Sequence, residues 1–404
     1  MSASPSAGSS DHRSPPHIAT LILLSGLSAL AMNIFLPSLP RMAEYFQADY
    51  SVLQLSVSLY LGVNAFTQIL IGPISDKVGR RPVILWGLVV FALATLGCIF
   101  AQSAWVFLVF RMAQSAVVVA MVISRASVRD RYDADQAASM IGYVTMGMAV
   151  VPMIGPAVGG VLDELFGWTA NFWLLFVTAL MAAALAYYDF GETKMKSGLT
   201  LGQQFREYPE LLRSPRFWGY ALACGLTSGS FFSYLGGAPF VGTVIFGMTP
   251  ATLGFYFGAP AIGYVIGNFL SGRYSMRYGI NRMVFWGCLV CLAGVLPNVL
   301  IMALGYGTPN TFFGLMVLIG LGNGMAIPNA TSGALSVRPH LAATASGLSG
   351  AIMLGLGAVL SALAGSLLTP ETGAEPLLWL MIITSTLSVG AIILVILRER
   401  QLGL

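Results

Sequence analysis

The chain has 404 residues, 56% of them hydrophobic and only 9% charged, with a mean hydropathy of +0.79. No soluble domain of that size hides so much apolar surface, which leaves one polytopic membrane domain with almost nothing outside it. The net charge of +4 reports orientation in a membrane rather than a nucleic-acid partner.

Residues 1–17 are rich in Ser, Pro and Ala and carry Asp11 and Arg13, the composition of a disordered tail. No basic segment with a small-residue cleavage site leads into the first apolar run, so that run is expected to be retained. At about 20 apolar residues per crossing, the sequence predicts helices near 18–40, 52–73, 82–101, 105–128, 138–162 and 170–188, then 217–240, 251–273, 283–305, 310–334, 343–368 and 377–397. The polar stretch 189–216, with Lys194, Lys196, Arg206, Arg213 and Arg216, links an N-terminal half (18–188) to a C-terminal half (217–397), and 398–404 form a short tail.

Basic residues fall on one side of this plan: Lys77, Arg80 and Arg81, then Arg129 and Arg131, the linker, then Arg273, Arg277 and Arg282, Arg338, Arg398 and Arg400. The other side holds Arg41 with Glu44, Asp49, Asp163, Glu164, Glu371 and Glu375. Such asymmetry places both termini in the cytoplasm. Cys98, Cys224, Cys288 and Cys291 lie inside apolar runs, and Cys288 and Cys291 have no histidine or second pair nearby, so they read as buried thiols rather than a zinc site.

Taken in order, the first run reads Leu30-Ala31-Met32-Asn33-Ile34-Phe35-Leu36-Pro37-Ser38-Leu39-Pro40 and the second contains Leu55-Ser56-Val57-Ser58-Leu59-Tyr60. The second ends in Gly72-Pro73-Ile74-Ser75-Asp76-Lys77-Val78-Gly79-Arg80-Arg81-Pro82, whose punctuation predicts a tight connection that turns after Gly72 and Pro73, bends at Gly79 and restarts a helix at Pro82. The fourth run carries Arg111 and Gln114 and continues through Arg125 to Val128-Arg129-Asp130. Helical rise puts Arg111 about 20 Å from Arg125; Arg125 can snorkel to the surface, whereas Arg111 needs a cavity or a partner. The fifth run holds Gly142, Pro152 and Gly155-Pro156-Ala157-Val158-Gly159-Gly160, small residues that admit close helix approach beside prolines that loosen it. In the eighth, Gly272-Arg273-Tyr274-Ser275-Met276-Arg277-Tyr278-Gly279 repeats the Gly72–Gly79 loop 200 residues later, with Met276 in place of Asp76.

These motifs resemble the major facilitator superfamily. The Gly72–Arg81 loop is similar to its signature between the second and third helices, Arg111 and Gln114 to its fourth-helix motif, and 155–160 to the antiporter motif of its drug exporters, with Val151 where one glycine of that pattern is missing. Over nearly the whole chain, and most of all over 30–175, the sequence resembles exporters of the bicyclomycin and chloramphenicol resistance type. The resemblance implies an all-α fold of twelve transmembrane helices in two six-helix halves, an inner-membrane location and drug export by proton antiport. It implies no cofactor beyond the proton gradient; the partners are a small drug-like molecule, protons and lipid, with no nucleic acid, and the chain is a monomer.

As gate residues it implies Gly72, Asp76, Gly79, Arg80, Arg81, Arg129, Asp130, Gly155, Pro156, Gly159 and Gly160. As coupling residues it implies Asn33, Arg111 and Gln114. Polar and aromatic residues that line a cavity on this plan are Tyr60, Asn64, Gln68, Tyr143, Phe231, Tyr234, Tyr264, Asn268, Asn323 and Asn329. An aromatic, amide-rich cavity with little charge suits neutral or mildly amphipathic compounds. Position 33 is commonly aspartate in that group, and the amide here cannot titrate. No predicted helix centre carries an acid, so coupling uses an acid nearer the surface, runs differently or is absent. A facilitator or uptake carrier, and a membrane receptor that transports nothing, stay open as alternatives. An enzyme is not expected, since no nucleophile, metal cluster or nucleotide loop appears.

Overall fold

The computed structural model describes residues 16–131, 151, 154–191, 209–338 and 341–403. The N-terminal tail to residue 15, most of the linker (192–208) and the first part of the fifth predicted helix, including Gly142, Tyr143 and Pro152, lie outside the described residues.

The N-terminal half comprises α1 (Ile18–Asn33), α2 (Leu39–Tyr45), α3 (Tyr50–Val78), α4 (Arg80–Ile99), α5 (Ala104–Ala113), α6 (Val118–Arg131), α7 (154–166) and α8 (Thr169–Asp189). A helical turn, α9 (209–212), precedes the C-terminal half: α10 (Pro215–Phe240), α11 (Pro250–Phe257), α12 (Ala259–Tyr278), α13 (Ile280–Ala303), α14 (Pro309–Ser336), α15 (Ala342–Leu367) and α16 (Glu375–Gln401). Ten spans among the described residues are long and apolar enough to cross a membrane. The other two of the twelve are α7, described only from residue 154, and α10. In α10 the run Thr227, Ser228, Gly229, Ser230 trades hydropathy for close packing, and 20 of its 26 residues are buried.

Local chemistry explains where the helices begin. Ser103, Ser214, Thr249 and Thr308 cap α5, α10, α11 and α14 through side-chain oxygens that accept backbone N–H groups, and proline opens α10, α11 and α14, where its missing donor costs nothing. The connections after α3 and α12 depart from the expected turn. Both helices run on through Gly72-Pro73 and Gly272, and each stops at one residue, Gly79 with φ 107° and Gly279 with φ 84°. Only glycine enters that region without strain, so the stop lies at the second glycine of each motif, 200 residues apart.

Three predicted helices are broken. The first ends at Asn33, passes through a 3-10 turn at Leu36–Ser38 around Pro37 and resumes as α2. The fourth is interrupted by a 3-10 turn at Gln114–Val117, and the eighth at Gly258, just before Pro260. Proline removes a donor and crowds the carbonyl four residues back, which accounts for the first and third breaks.

Candidate functional site

The break in the fourth span presents Arg111 to the middle of the N-terminal half. Its side chain is fully buried. Nη2 donates to the carbonyl of Ala31 (2.9 Å), Nε to that of Ser56 (3.3 Å) and Nη1 to Oε1 of Gln114 (2.7 Å). Ala31 is available because it lies in the last turn of α1, where carbonyls lack intrahelical partners. Gln114 in turn donates to Oγ1 of Thr95 (2.8 Å), which bonds the carbonyl of Phe91. The guanidinium lies 4.4 Å from the ring centroid of Phe35 and 4.0 Å from that of Tyr60. Among the described residues no carboxylate meets it; three hydrogen bonds and two ring faces, each worth about 2 kcal/mol when desolvated, offset the cost of burial. An arginine does not give up its proton in a protein, so Arg111 is a fixed charge and not a proton carrier.

Asn33 is buried beside this cluster, and its Nδ2 donates to the carbonyl of Ala29 one turn back (2.7 Å). Tyr60, expected in a cavity wall, is fully buried and packs against Arg111. On α3 and α1, Ser56 Oγ, Ser58 Oγ, Asn64 Oδ1 and Ser25 Oγ are buried with no hydrogen-bond partner among the described residues. An unmet polar atom costs about 1–3 kcal/mol in an apolar interior, and two such atoms, Ser56 Oγ and the Tyr60 hydroxyl, belong to residues that touch Arg111, which marks this region as a place for polar groups to arrive.

The cavity candidates of the C-terminal half follow a second pattern. Asn268, Asn323 and Asn329 donate to carbonyls one turn back, those of Tyr264, Ile319 and Met325, and Asn329 also reaches Ser271 Oγ (2.8 Å). Tyr234 is fully buried, donating to the Phe257 carbonyl (3.1 Å) and packed on Phe231, Phe257 and Phe313. Tyr264 and Asn268 are half-buried, as is Gln68.

The gate candidates divide. The side chains of Gly72, Asp76, Arg129 and Asp130 lie outside the described residues. Arg81 donates to the Tyr187 carbonyl (2.8 Å) and lies over that ring at 5.4 Å, tying the start of α4 to α8; Arg80 is buried. At the opposite, acidic end, 155–160 meets the other half. A Cβ on Gly160 would collide with the Pro250 carbonyl, one on Gly254 with the Pro156 carbonyl, and one on Gly159 with the Ile34 carbonyl, so these backbones touch.

Sequence reasoning passed over Gln54 and Tyr50 at this end, and it placed Asp163 and Glu164 among the acids near a span end without their partners. Gln54 is fully buried between the halves, its Nε2 donating to the carbonyl (2.6 Å) and Oγ (2.8 Å) of Ser361 on α15, with Gly236 and Gly365 crowding it on either side. Tyr50 donates to the Gly236 carbonyl (2.7 Å) and the Ala251 N–H to Glu164 (3.3 Å). Asp163, read as a loop acid, is fully buried: Oδ1 lies 3.2 Å from Nη1 of the half-exposed Arg41, and Oδ2 has no partner among the described residues. A polar residue in an interface position, as Gln54 is, was the available signal; its partner on α15 was not. The described hydrogen bonds that join the halves therefore close the acidic end.

The family model described as Major Facilitator Superfamily matches residues 21–362. The chain is 32% identical to a chloramphenicol resistance protein of Pseudomonas aeruginosa, over 92% of this chain and 89% of that one. It is 31% identical to multidrug resistance protein D of Escherichia coli (91% and 93% covered) and 27% identical to a bicyclomycin resistance protein homolog of Haemophilus influenzae (90% and 92%). Among solved structures, a bacterial homolog of the human lysosomal transporter Spinster, in an inward-facing and occupied conformation, superposes with a TM-score of 0.73 at 16% identity, covering 95% of this chain and 96% of that one.

Proposed function

This chain belongs to the Major Facilitator Superfamily, and from that premise we propose that it exports small hydrophobic or amphipathic drugs across a bacterial inner membrane by alternating access, driven by proton antiport. The observation that carries the reading is the buried environment of Arg111, which meets no carboxylate among the described residues and touches Ser56 and Tyr60, whose hydroxyls are unmet. Such a region receives a neutral molecule with a few hydrogen-bonding groups better than a sugar, a phosphate or a second cation. The names of the drug-resistance relatives support the same substrate class.

Neither Asn33 nor Arg111 exchanges a proton at working pH. The carboxylate we assign to coupling is Asp163, buried at the acidic end with one oxygen on Arg41 and the other without a partner among the described residues. In this reading the basic end faces the cytoplasm with both termini, the acidic end faces the proton source, and the monomer works without a cofactor or catalytic residue. The test is twofold: drug susceptibility of cells with and without the protein, and flux in proteoliposomes under an imposed pH gradient. Resistance together with gradient-dependent flux is expected. Flux indifferent to pH would turn the reading to a facilitator, which the amide at position 33 favours, and absence of any substrate-dependent flux would overturn transport of these compounds.

A further inference from the structure

The repeated loop of the C-terminal half is left unexplained by transport. Its aspartate position holds Met276, which is 99% exposed. Arg273, Arg277 and Arg282 stand around it, all exposed. Arg277 lies over the ring of Tyr278 at 5.6 Å, and among the described residues no carboxylate pairs with any of the three; the described ion pairs are Arg41 with Asp163, Arg216 with Glu399 and Arg338 with Glu210. Glu399, the acid that reaches the start of α13, accepts from Asn281 but is already held by Arg216 and Tyr220. Three like charges thus stand at the ends of two helices with no carboxylate partner among the described residues.

Beside them lies a groove of about 490 Å³ between α12, α13 and α14, lined by Leu270, Tyr274, Tyr278, Arg282, Trp286 and Met325. Its volume falls in the roughly 300–1,000 Å³ range of small-ligand sites. Its chemistry is graded along the membrane normal. Leu270 and Met325 lie deeper in their spans, the tyrosines and Trp286 have the amphipathic rings that favour a membrane–water boundary, and Arg282 lines the groove at its basic end, with Arg273 and Arg277 exposed on the same stretch of α12 as Tyr274 and Tyr278. Guanidinium groups fork onto phosphate oxygens, and basic pockets between transmembrane helices take anionic lipid headgroups.

We propose that this groove binds an acidic glycerophospholipid, its phosphate on Arg282 with Arg273 and Arg277 beside it and an acyl chain along Leu270, Trp286 and Met325. The lipid phosphate supplies the negative charge that Asp76 gives the matching motif of the N-terminal half and that Met276 cannot. The inference needs the chain to lie in a bilayer and does not depend on which compound it exports.

The test is native mass spectrometry of the purified full-length chain with phosphatidylglycerol or phosphatidylcholine added. One phosphatidylglycerol is expected to be retained in preference to phosphatidylcholine. Retention should weaken roughly fivefold for each arginine changed to glutamine, at positions 273, 277 and 282, while Arg398→Gln with Arg400→Gln leaves it unchanged. Met276→Asp removes no arginine, yet by supplying an internal anion it should weaken retention by a similar factor. If the triple variant does not fold, Arg282→Gln and Met276→Asp decide alone. Equal retention of both lipids, or a folded triple variant that binds as the wild type does, would overturn the proposal. Inorganic phosphate or glycerol phosphate displacing the lipid at comparable concentration would do so too, by making this a site for free anions.

Discussion

The buried polar cluster at the middle of the N-terminal half is built on a charge: Arg111 joins α1, α3 and α5 through two carbonyls, one amide and two ring faces. The C-terminal half fills its interior with neutral groups, the rings of Tyr234, Phe257, Phe312 and Phe313 and the hydroxyl cluster of Ser230, Thr384 and Ser385. At the basic ends the halves agree again. In each, a carboxylate closing the last helix holds the start of the first: Asp189 accepts from the His17 N–H and the Thr20 hydroxyl, Glu399 from Arg216 and Tyr220. The repeat thus keeps its frame and lets the interior diverge. A buried charge tolerates few geometries, because a lost hydrogen bond there is not replaced by water, whereas rings and hydroxyls rearrange at small cost. This contrast predicts that the N-terminal half is the stiffer body and the C-terminal half the more compliant one.

Removing the charge tests that contrast most severely. Arg111→Ala should cut drug flux by at least about tenfold and cost about 2–4 kcal/mol of stability through lost hydrogen bonds and a cavity between the rings of Phe35 and Tyr60. Arg111→Lys keeps the charge and loses the fork, so it should fall between. Flux and thermal unfolding in nanodiscs measure both; full activity in the alanine variant would remove the distinction between the halves.

Gln54→Leu acts on the seam between them. It keeps the volume and deletes both bonds to Ser361, a loss of roughly 1–2 kcal/mol that should shift the population toward states open at the acidic end by about fivefold or more. Spin labels at Gln47 and Glu371, exposed on opposite halves of that end, should report longer distances. An unchanged distribution would reduce Gln54 to packing.

Two substitutions probe the proton step. Asp163→Asn should uncouple flux from an imposed proton gradient while leaving drug binding within about twofold, and Asn33→Asp should add a titration that the native chain lacks. Identical gradient and pH dependence for wild type and both variants would place coupling elsewhere.

The crossings, the repeat and the asymmetry of charge were legible in the sequence because hydropathy and the positive-inside bias act on every span. The twin stops at Gly79 and Gly279 were legible only in part: the motif marked the loop, but the helices absorb Gly72 and Pro73, since one missing donor does not end a helix that packing sustains. Arg111 and Gln114 were singled out by the resemblance of the fourth run to a family motif, and Arg111 also by the cost of a charge inside a span. Its other partners are carbonyls of Ala31 and Ser56, and backbone groups leave no mark in a sequence. Gln54 and Asp163 were obscured for a related reason. Each looks like an ordinary residue at a span end until a distant helix buries it.

The smallest expected difference concerns the basic-end clasps, where the halves are most alike. Asp189 holds a backbone N–H and a hydroxyl, with no cation among its described bonds. Glu399 pairs with Arg216, and both side chains are largely buried, at 13% and 20% exposure. Neutralising Asp189 as Asp189→Asn leaves an amide oxygen that still accepts, so the cost should stay under about 1 kcal/mol. Glu399→Gln leaves Arg216 without its counter-ion in a place where water reaches it only partly, and should cost about 1–2 kcal/mol more. Because Arg216 and Tyr220 open α10, the most buried helix of the C-terminal half, that loss should appear as faster hydrogen exchange in the first turns of α10 and not in α1. Equal protection changes at the two clasps would mean that the ion pair adds nothing to the hydrogen bonds, and the stiffness of each half would then rest on its interior alone.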